Sequence, residues 1–438
     1  MNCFRILSFI VHFFIICYKK YQLRYTIIFT ISFTICILFT IYGQTKNNYL
    51  DIESLPTHVY YPNTSLYLPI SKVINRSYKL VLLWTNLFSD IYWNQPLFFN
   101  SSIVVSCSPT YQCRFTRDRQ QLSQASIVAF HLYDAKRYEI PERQSPNNDN
   151  QHWIFITGES PVNFYYQNPS HLPYLFDNYF DSSISYKLES PYAVFAPIIK
   201  PRHVSPVNTQ HQQTLNRNSL KSKKKSIAWL VSNCHTFSQR ENYVNELKKY
   251  IPIDIYGRCG TTCSNENNQR CEIDLSEYYF YLAFENSRCR SYITEKFWNI
   301  ISDDKHRLVP IVMGANEKDY EQIAPVKSFI HVDRYQTPEE LAKYLHYLIE
   351  NPEKYLEYLQ WREHTEIELA IPSLWSNFLC PICSMAYETQ SYPHNRLNFS
   401  SWFNLKTECH HDDIEIFKKC KQATLSGWMS WIHNLNCP

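Results

Sequence analysis

Residues 279–299 read Tyr-Phe-Tyr-Leu-Ala-Phe-Glu-Asn-Ser-Arg-Cys-Arg-Ser-Tyr-Ile-Thr-Glu-Lys-Phe-Trp-Asn, and they constrain the fold more tightly than any other stretch. Six apolar or aromatic residues in succession, rich in β-formers, describe a strand buried in a parallel sheet. Glu285-Asn286-Ser287 ends that run with side chains suited to a turn or a helix cap. Thr294-Glu295-Lys296 then opens an amphipathic segment, with Thr294 as cap and Glu295 in the first turn. A strand feeding a polar loop and a helix N-terminus is where open α/β sheets bind their ligands. Tyr292, Glu295 and Lys296 would offer one ligand a ring, a carboxylate and an ammonium. Hydroxyls for the carboxylate, with phosphate for the lysine and the free helix N–H groups, describe a nucleotide. Taken alone, Glu-Lys at a helix start is more often a solvated first turn.

Composition narrows how such a phosphate could be held. The 438 residues include only 6 glycines, with neither a G-x-G-x-x-G nor a Walker A pattern, so side chains and helix ends must do it. Basic and acidic residues nearly balance, 43 against 40, for a net charge of +3. That gives no case for a nucleic-acid partner, and the one basic run, 221–225, reads as part of a linker.

The N-terminus points to a membrane and a lumen. Residues 25–42 carry no charge and are long enough to cross a hydrocarbon core of about 30 Å with snorkelling flanks. Lys19, Lys20 and Arg24 precede them while Asp51 and Glu53 follow, so residues 1–24 are expected in the cytosol and the anchor is single-pass type II. A cleaved signal peptide is the alternative, but the segment is long for one and Gly43-Gln44 is a poor cleavage site. A second apolar run, 4–17, is short for a span. Residues 43–77 read as a stem. Sequons at Asn63, Asn75, Asn100 and Asn398 are candidate glycosylation sites, and twelve of the 15 cysteines lie beyond residue 42, as disulfides in an oxidising compartment require. Cys380-Pro-Ile-Cys383 admits a thioredoxin-like redox pair, or half a zinc site with Cys259 and Cys263, but structural disulfides fit its late position better.

From Tyr78 onward, short apolar runs at 79–84, 102–106, 125–131 and 153–157 suggest an α/β domain with a parallel sheet. The last run ends in Gly158-Glu159-Ser160-Pro161, which sets a carboxylate at a strand's carboxyl end or simply marks a turn. His131, at another strand end, is more often a satisfied structural group. Residues 200–225, rich in Pro, His, Gln, Asn and Ser, read as an interdomain linker. A second set of apolar runs lies at 226–234, 253–257, 279–284, 308–314 and 328–333. Arg240 falls near the start of a helix pattern, where its charge opposes the dipole unless an anion binds there. Residues 338–369 have helical spacing and are expected to pack back across the first domain. The tail beyond 390 adds Cys409, Cys420 and Cys437 without an interpretable motif. No D-x-D metal motif stands at a strand end.

The string at 280–296 resembles the donor-binding motif of the α1,3-fucosyltransferases, F-x-[LF]-x-F-E-N-S-x-x-x-x-Y-[IV]-T-E-K. It matches at Phe280, Phe284, Glu285, Asn286, Ser287, Tyr292, Ile293, Thr294, Glu295 and Lys296. Further blocks follow the family's order: the segment with Cys107 and Cys113, Asp118-Arg119, strands ending in His131 and at 158–160, V-P-I-V-M-G at 309–314 and F-I-H-V-D at 329–333. The likeness runs from about Tyr78 to Cys383. It departs at 182–190, where Lys187 and Glu189 stand in a segment the family usually writes S-Y-R-x-D-S. Charge is kept there, but lysine cannot make arginine's bidentate contacts. It departs again at Asp303-Asp304-Lys305-His306, which suggests a longer loop.

The resemblance implies a GT-B-type α/β fold, two Rossmann-like domains facing a cleft behind the N-terminal transmembrane helix. Residues 78–199 would bind the acceptor, 226–370 would bind GDP-fucose, and the Cys-rich segment 371–438 would pack back on the first domain. The implied reaction is inverting transfer of fucose to O3 of an N-acetylglucosamine in glycoprotein N-glycans. Glu159 would be the general base, with Arg240 and Lys296 stabilising the departing GDP. Glu295 would hold ribose hydroxyls, Asn286 and Tyr292 would order the donor, and Asn233, Tyr186, Lys187 and Glu189 would add contacts. Cys107 and Cys113 would pair with Cys380 and Cys383. No metal is required, a divalent cation at most stimulating turnover. A Golgi cisterna membrane is implied, with the catalytic part lumenal. The E-N-S-x-C form of the motif favours a core N-glycan acceptor over a Lewis-type one. The rival readings are a catalytically impaired glycan-binding or scaffold protein of the same fold, resting on the change at 187–189, and a thiol oxidoreductase using Cys380 and Cys383.

Overall fold

The computed structural model describes residues 58–59, 68–69, 78–87, 102–107, 111–136, 139–143, 151–168, 173–195, 197–202, 205–261, 273–368, 376–388, 396–425 and 437. Residues 1–24, the anchor expected at 25–42, most of the stem, and Asn63, Asn75 and Asn100 lie outside the described residues. Among the described residues, no helix is long and apolar enough to cross a membrane.

Two sheets organise the chain. The first contains β1 (Lys79–Leu83), β2 (Ser102–Ser106), β3 (Gln112–Thr116), β4 (Ile127–His131), β5 (His152–Thr157), β6 (Ser182–Ser185) and β7 (Tyr192–Ala193), in the order β2-β3-β1-β4-β5-β6-β7. Only the edge pair β2–β3 is antiparallel. The near-continuous apolar runs are explained by burial on both faces. Leu80, Leu82, Val128, Phe130 and Phe155 enter one core cluster, while the alternate residues Val81, Leu83, Ile127, Ala129 and Ile154 enter another. Helix α1 (Pro161–Gln167) leaves β5 through Gly158-Glu159-Ser160, with the Ser160 side chain as its cap.

The stretch expected as a linker is ordered secondary structure instead. Strand β8 (Ile198–Pro201) is followed by the 15-residue helix α2 (Pro206–Leu220). That helix presents Gln212 and Asn216 to the buried guanidinium of Arg307, which donates to both side-chain oxygens.

The second sheet is wholly parallel. It contains β9 (Lys225–Leu230), β10 (Ile253–Tyr256), β11 (Tyr278–Phe284), β12 (Val309–Met313) and β13 (Ile330–His331), in the order β10-β9-β11-β12-β13. Helices α3 (Arg240–Leu247), α4 (Glu295–Ile301), α5 (Glu317–Ile323) and α6 (Pro338–Glu350) accompany it. The described residues 338–368 pack on the second sheet rather than across the first. Leu341, Leu345 and Leu348 of α6 join the core of β9, β11 and β12, because their stripe is the apolar cover that face lacks. Beyond them, β14 (Thr365–Glu368) pairs antiparallel with β8.

The C-terminal segment covers the first sheet. Helix α7 (Ser376–Tyr387) buries Leu379, Ile382, Cys383 and Met385 against Val81, Leu83 and Ile154. Cys107 bonds Cys380, and Cys113 bonds Cys383. Cys259 bonds Cys234. These bonds remove both the redox and the zinc readings of Cys380-Pro-Ile-Cys383. Helices α8 (Phe399–Trp402), α9 (Leu405–Glu408) and α10 (His411–Leu425) follow, bringing Phe399, Phe403, Ile414 and Phe417 to the other face of the sheet.

Candidate active site

The stretch 279–299 folds back on itself through Glu285, a carboxylate that reads in sequence only as a turn or cap residue. Glu285, directly after β11, is fully buried. Its Oε1 accepts from the Thr294 backbone N at 2.7 Å, and its two oxygens accept from the Thr294 hydroxyl at 2.9 and 2.8 Å. Thr294 caps α4. Lys296 Nζ lies 3.2 Å from Glu285, 3.0 Å from Glu295 and 2.9 Å from Thr294 Oγ1. Burial pushes the Glu285 carboxyl up, with Lys296 opposing. Burial works against the Lys296 charge, but Glu285 and Glu295 outweigh it and hold the ammonium above its usual range. A buried carboxylate thus aims a cation at the helix start.

Gly314, after β12, leaves the room for this. A Cβ there would lie 2.6 Å from Glu285 Cγ and 2.9 Å from its Cβ. Gly314→Ala is expected to destabilise the protein by about 1–3 kcal/mol through overpacking, read as a lowered thermal unfolding midpoint. An unchanged midpoint would show that Glu285 can move aside freely.

Arg240 opens α3 behind Gln239, whose φ of 54° is left-handed. Its buried guanidinium turns back to the carboxyl ends of β9 and β11, donating to Phe284 O at 2.5 Å and Asn233 O at 3.1 Å. Its Nε has no partner. The Asn233 residue is itself exposed and meets Arg240 through its carbonyl. Ser238 Oγ donates to Glu285 O at 2.8 Å, and Ser238 N to Asn286 O at 3.2 Å. Asn286 Oδ1 is buried without a partner.

The first sheet contributes Glu159. Its backbone N donates to Thr157 Oγ1 at 3.2 Å, and Asn163 Nδ2 donates to its carboxylate at 3.3 Å. The next residue, Ser160, shares a 2.5 Å hydrogen bond with Ser287 of the donor motif, joining the carboxyl ends of the two sheets. Tyr186 and Tyr292 meet edge to face with ring centroids 4.9 Å apart. Burial raises the Glu159 carboxyl; Asn163 and Lys296 pull it down, while Glu295 and Glu285 push it further up. The Lys296 ammonium in turn feels Arg240. Glu159, Arg240, Glu295 and Lys296 therefore act within one electrostatic field.

Lys187, Glu189 and His131 are held by partners within the protein. Lys187 is buried with Nζ 2.8 Å from Glu408 and 2.6 Å from Trp402 O, above the Trp402 ring. Glu189 pairs with Arg290. Both charges are directed at the C-terminal segment and the 288–291 loop. The Tyr186 hydroxyl is buried without a partner. His131 Nδ1 meets Asp134 at 2.7 Å, a structural pairing. Asn398 is exposed and caps α8, its Oδ1 accepting from Ser401 N at 2.8 Å. Among the described residues there is no cluster of three or more His, Cys, Asp or Glu able to hold a metal ion.

Two family models match this chain. The N-terminal fucosyltransferase model covers residues 76–195, and the C-terminal model of glycosyltransferase family 10 (fucosyltransferase) covers 220–402. Glycoprotein 3-alpha-L-fucosyltransferase A of Drosophila melanogaster is 33% identical over 350 residues, spanning 79% of this chain and 64% of that protein. The 4-galactosyl-N-acetylglucosaminide 3-alpha-L-fucosyltransferase FUT6 of Pan troglodytes is 33% identical over 353 residues, 78% of this chain and 88% of that one. A crystal structure of α1,3-fucosyltransferase with GDP-fucose aligns at a TM-score of 0.37 and 17% identity, covering 65% of this chain and 82% of that one, too slight a likeness to argue from. With matched blocks on both sheets and relatives of this identity and coverage, the chain belongs to glycosyltransferase family 10, the fucosyltransferases.

Proposed function

We propose that this enzyme transfers L-fucose from GDP-fucose to O3 of an N-acetylglucosamine in glycoprotein glycans, with inversion. The observation that carries the reading is Glu159, a partly buried carboxylate within the field of Lys296 and next in sequence to Ser160, which is hydrogen-bonded to Ser287. Glu159 takes the proton of the acceptor hydroxyl as its oxygen bonds to the anomeric carbon. The bond from that carbon to the β-phosphate oxygen breaks, and GDP departs. Lys296 and Arg240 stabilise the charge that develops there, the kind of preorganised stabilisation that weighs most in such reactions. Glu295 holds ribose hydroxyls, while Asn286 and Tyr292 order the donor. The change at 187–189 is the ground for a binding-only protein, yet Lys187 and Glu189 have structural partners in Glu408 and Arg290. The E-N-S-x-C form favours a core N-glycan acceptor. A type II anchor at 25–42 in a Golgi membrane completes the reading.

Release of GDP from GDP-fucose, assayed on core-exposed N-glycans beside N-acetyllactosamine, tests both activity and acceptor. Glycan binding without turnover would leave the binding-only reading standing. The pH profile gives a separate check. A general base works as carboxylate, and burial raises the Glu159 pKa. Protonation therefore sets in at a higher pH than for an exposed glutamate. Activity (kcat/KM) is expected to fall on acidification with a midpoint above the usual carboxylate range. A midpoint at or below the usual glutamate value would remove Glu159 from that role.

A further inference from the structure

The loop 288–291 joins the two halves of the donor motif, Asn286 before it and Tyr292 to Lys296 after it, and every residue in it is pinned. Arg288 N donates to Asp413 Oδ2 at 2.6 Å, and its Nε to Oδ1 at 2.9 Å. Cys289 is bonded to Cys409, the pair also forming an isolated antiparallel bridge. Arg290 N donates to Glu408 O at 2.6 Å, and His410 N returns a bond to Arg288 O at 2.7 Å. Ser291, at a left-handed φ of 59°, donates its N–H to Asp319 Oδ2 at 2.7 Å. Four of these five anchoring residues come from 408–413.

These anchors are built to hold. Asp413 is fully buried and Glu408 nearly so, and a buried carboxylate persists only where charge and hydrogen bonds meet it. Asp413 is met by Arg288, and Glu408 by both Arg290 and Lys187. Through Lys187 and the Glu189–Arg290 pair the same network reaches the end of β6, on the sheet that carries Glu159. The C-terminal family model stops at residue 402, before Glu408, Cys409 and Asp413.

We propose that residues 404–413 are a positioning element of the donor site, setting the 288–291 loop and with it Asn286, Tyr292 and Lys296 relative to Glu159. Arg288, Cys289, Cys409 and Asp413 are the positioning residues, and none of them needs to touch the nucleotide. The proposal rests on the nucleotide-sugar reading above. A role in stability alone would lower the unfolding midpoint and leave ligand constants unchanged; a positioning role shows in the constants.

The test uses the full-length protein in detergent, with GDP as probe. In Arg288→Met, Asp413→Asn and the double variant Cys289→Ser/Cys409→Ser, the Kd for GDP and the KM for GDP-fucose are expected to rise roughly tenfold, the size seen when residues act on a site through their neighbours. The kcat should change far less, and Arg288→Lys should recover part of the loss. Wild-type ligand constants in the variants would overturn the proposal. Hydrogen exchange on the wild-type protein decides the matter even where a variant fails to fold. GDP is expected to slow amide exchange at 404–413 together with 286–296, and a change confined to 286–296 would equally overturn it. Wild-type protein that binds no GDP would instead sink the nucleotide-sugar reading.

Discussion

Glu159→Gln is expected to lower kcat by roughly 10²–10⁴-fold, the contribution of a positioned general base, while GDP binds as in the wild type. The amide keeps the shape of the carboxylate and can still accept from Asn163 Nδ2, so structure is preserved and only proton acceptance is lost. Single-turnover fucose transfer and calorimetric GDP binding measure the two halves of this expectation. Loss of GDP affinity in parallel with kcat would assign Glu159 to the donor instead. More than a tenth of wild-type turnover would require another base.

The second large effect belongs to Lys296. Besides Glu295 and Thr294, its ammonium serves the phosphate it is proposed to meet and the fully buried Glu285 at 3.2 Å. Lys296→Met removes both interactions. Turnover should fall by roughly 10²–10³-fold, as when a preorganised electrostatic contact is deleted. Stability should fall as well, by about 2–4 kcal/mol, since a buried carboxylate loses its charge partner; the partial exposure of Lys296 argues for the lower end. Adding Glu285→Gln separates the two roles. The double variant should regain much of the lost melting temperature, because the amide needs no cation, yet none of the activity. A double variant as unstable as Lys296→Met would mean that the pair is not energetically coupled.

The strand and the capped helix of 279–299 are legible because their signals are local. The apolar run before Glu285 and the Thr294 cap each act within one strand or one helical turn, and the structure places β11 and α4 accordingly. The readings that failed depended on distant partners. Helix α2 reads as a linker in sequence because its buried contacts are polar: Gln212 and Asn216 face Arg307, about ninety residues on, so no apolar period marks the helix. The helical spacing of α6 is legible in the sequence, but spacing does not say which sheet a helix covers. Glu285 looked like a turn residue since its role exists only once the loop closes and returns Thr294 and Lys296 to it.

Residues 279–299 by themselves determined a strand, a polar loop and a capped helix. Tertiary structure alone decided what surrounds that junction. It brought Ser160 to Ser287, set Glu159 in the field of Lys296, and bound Cys289 to Cys409. Backbone preference and capping act over a few residues and leave a trace in sequence order. The pairing of buried charges and sulfurs across 100 or more residues leaves none until the chain has closed on itself.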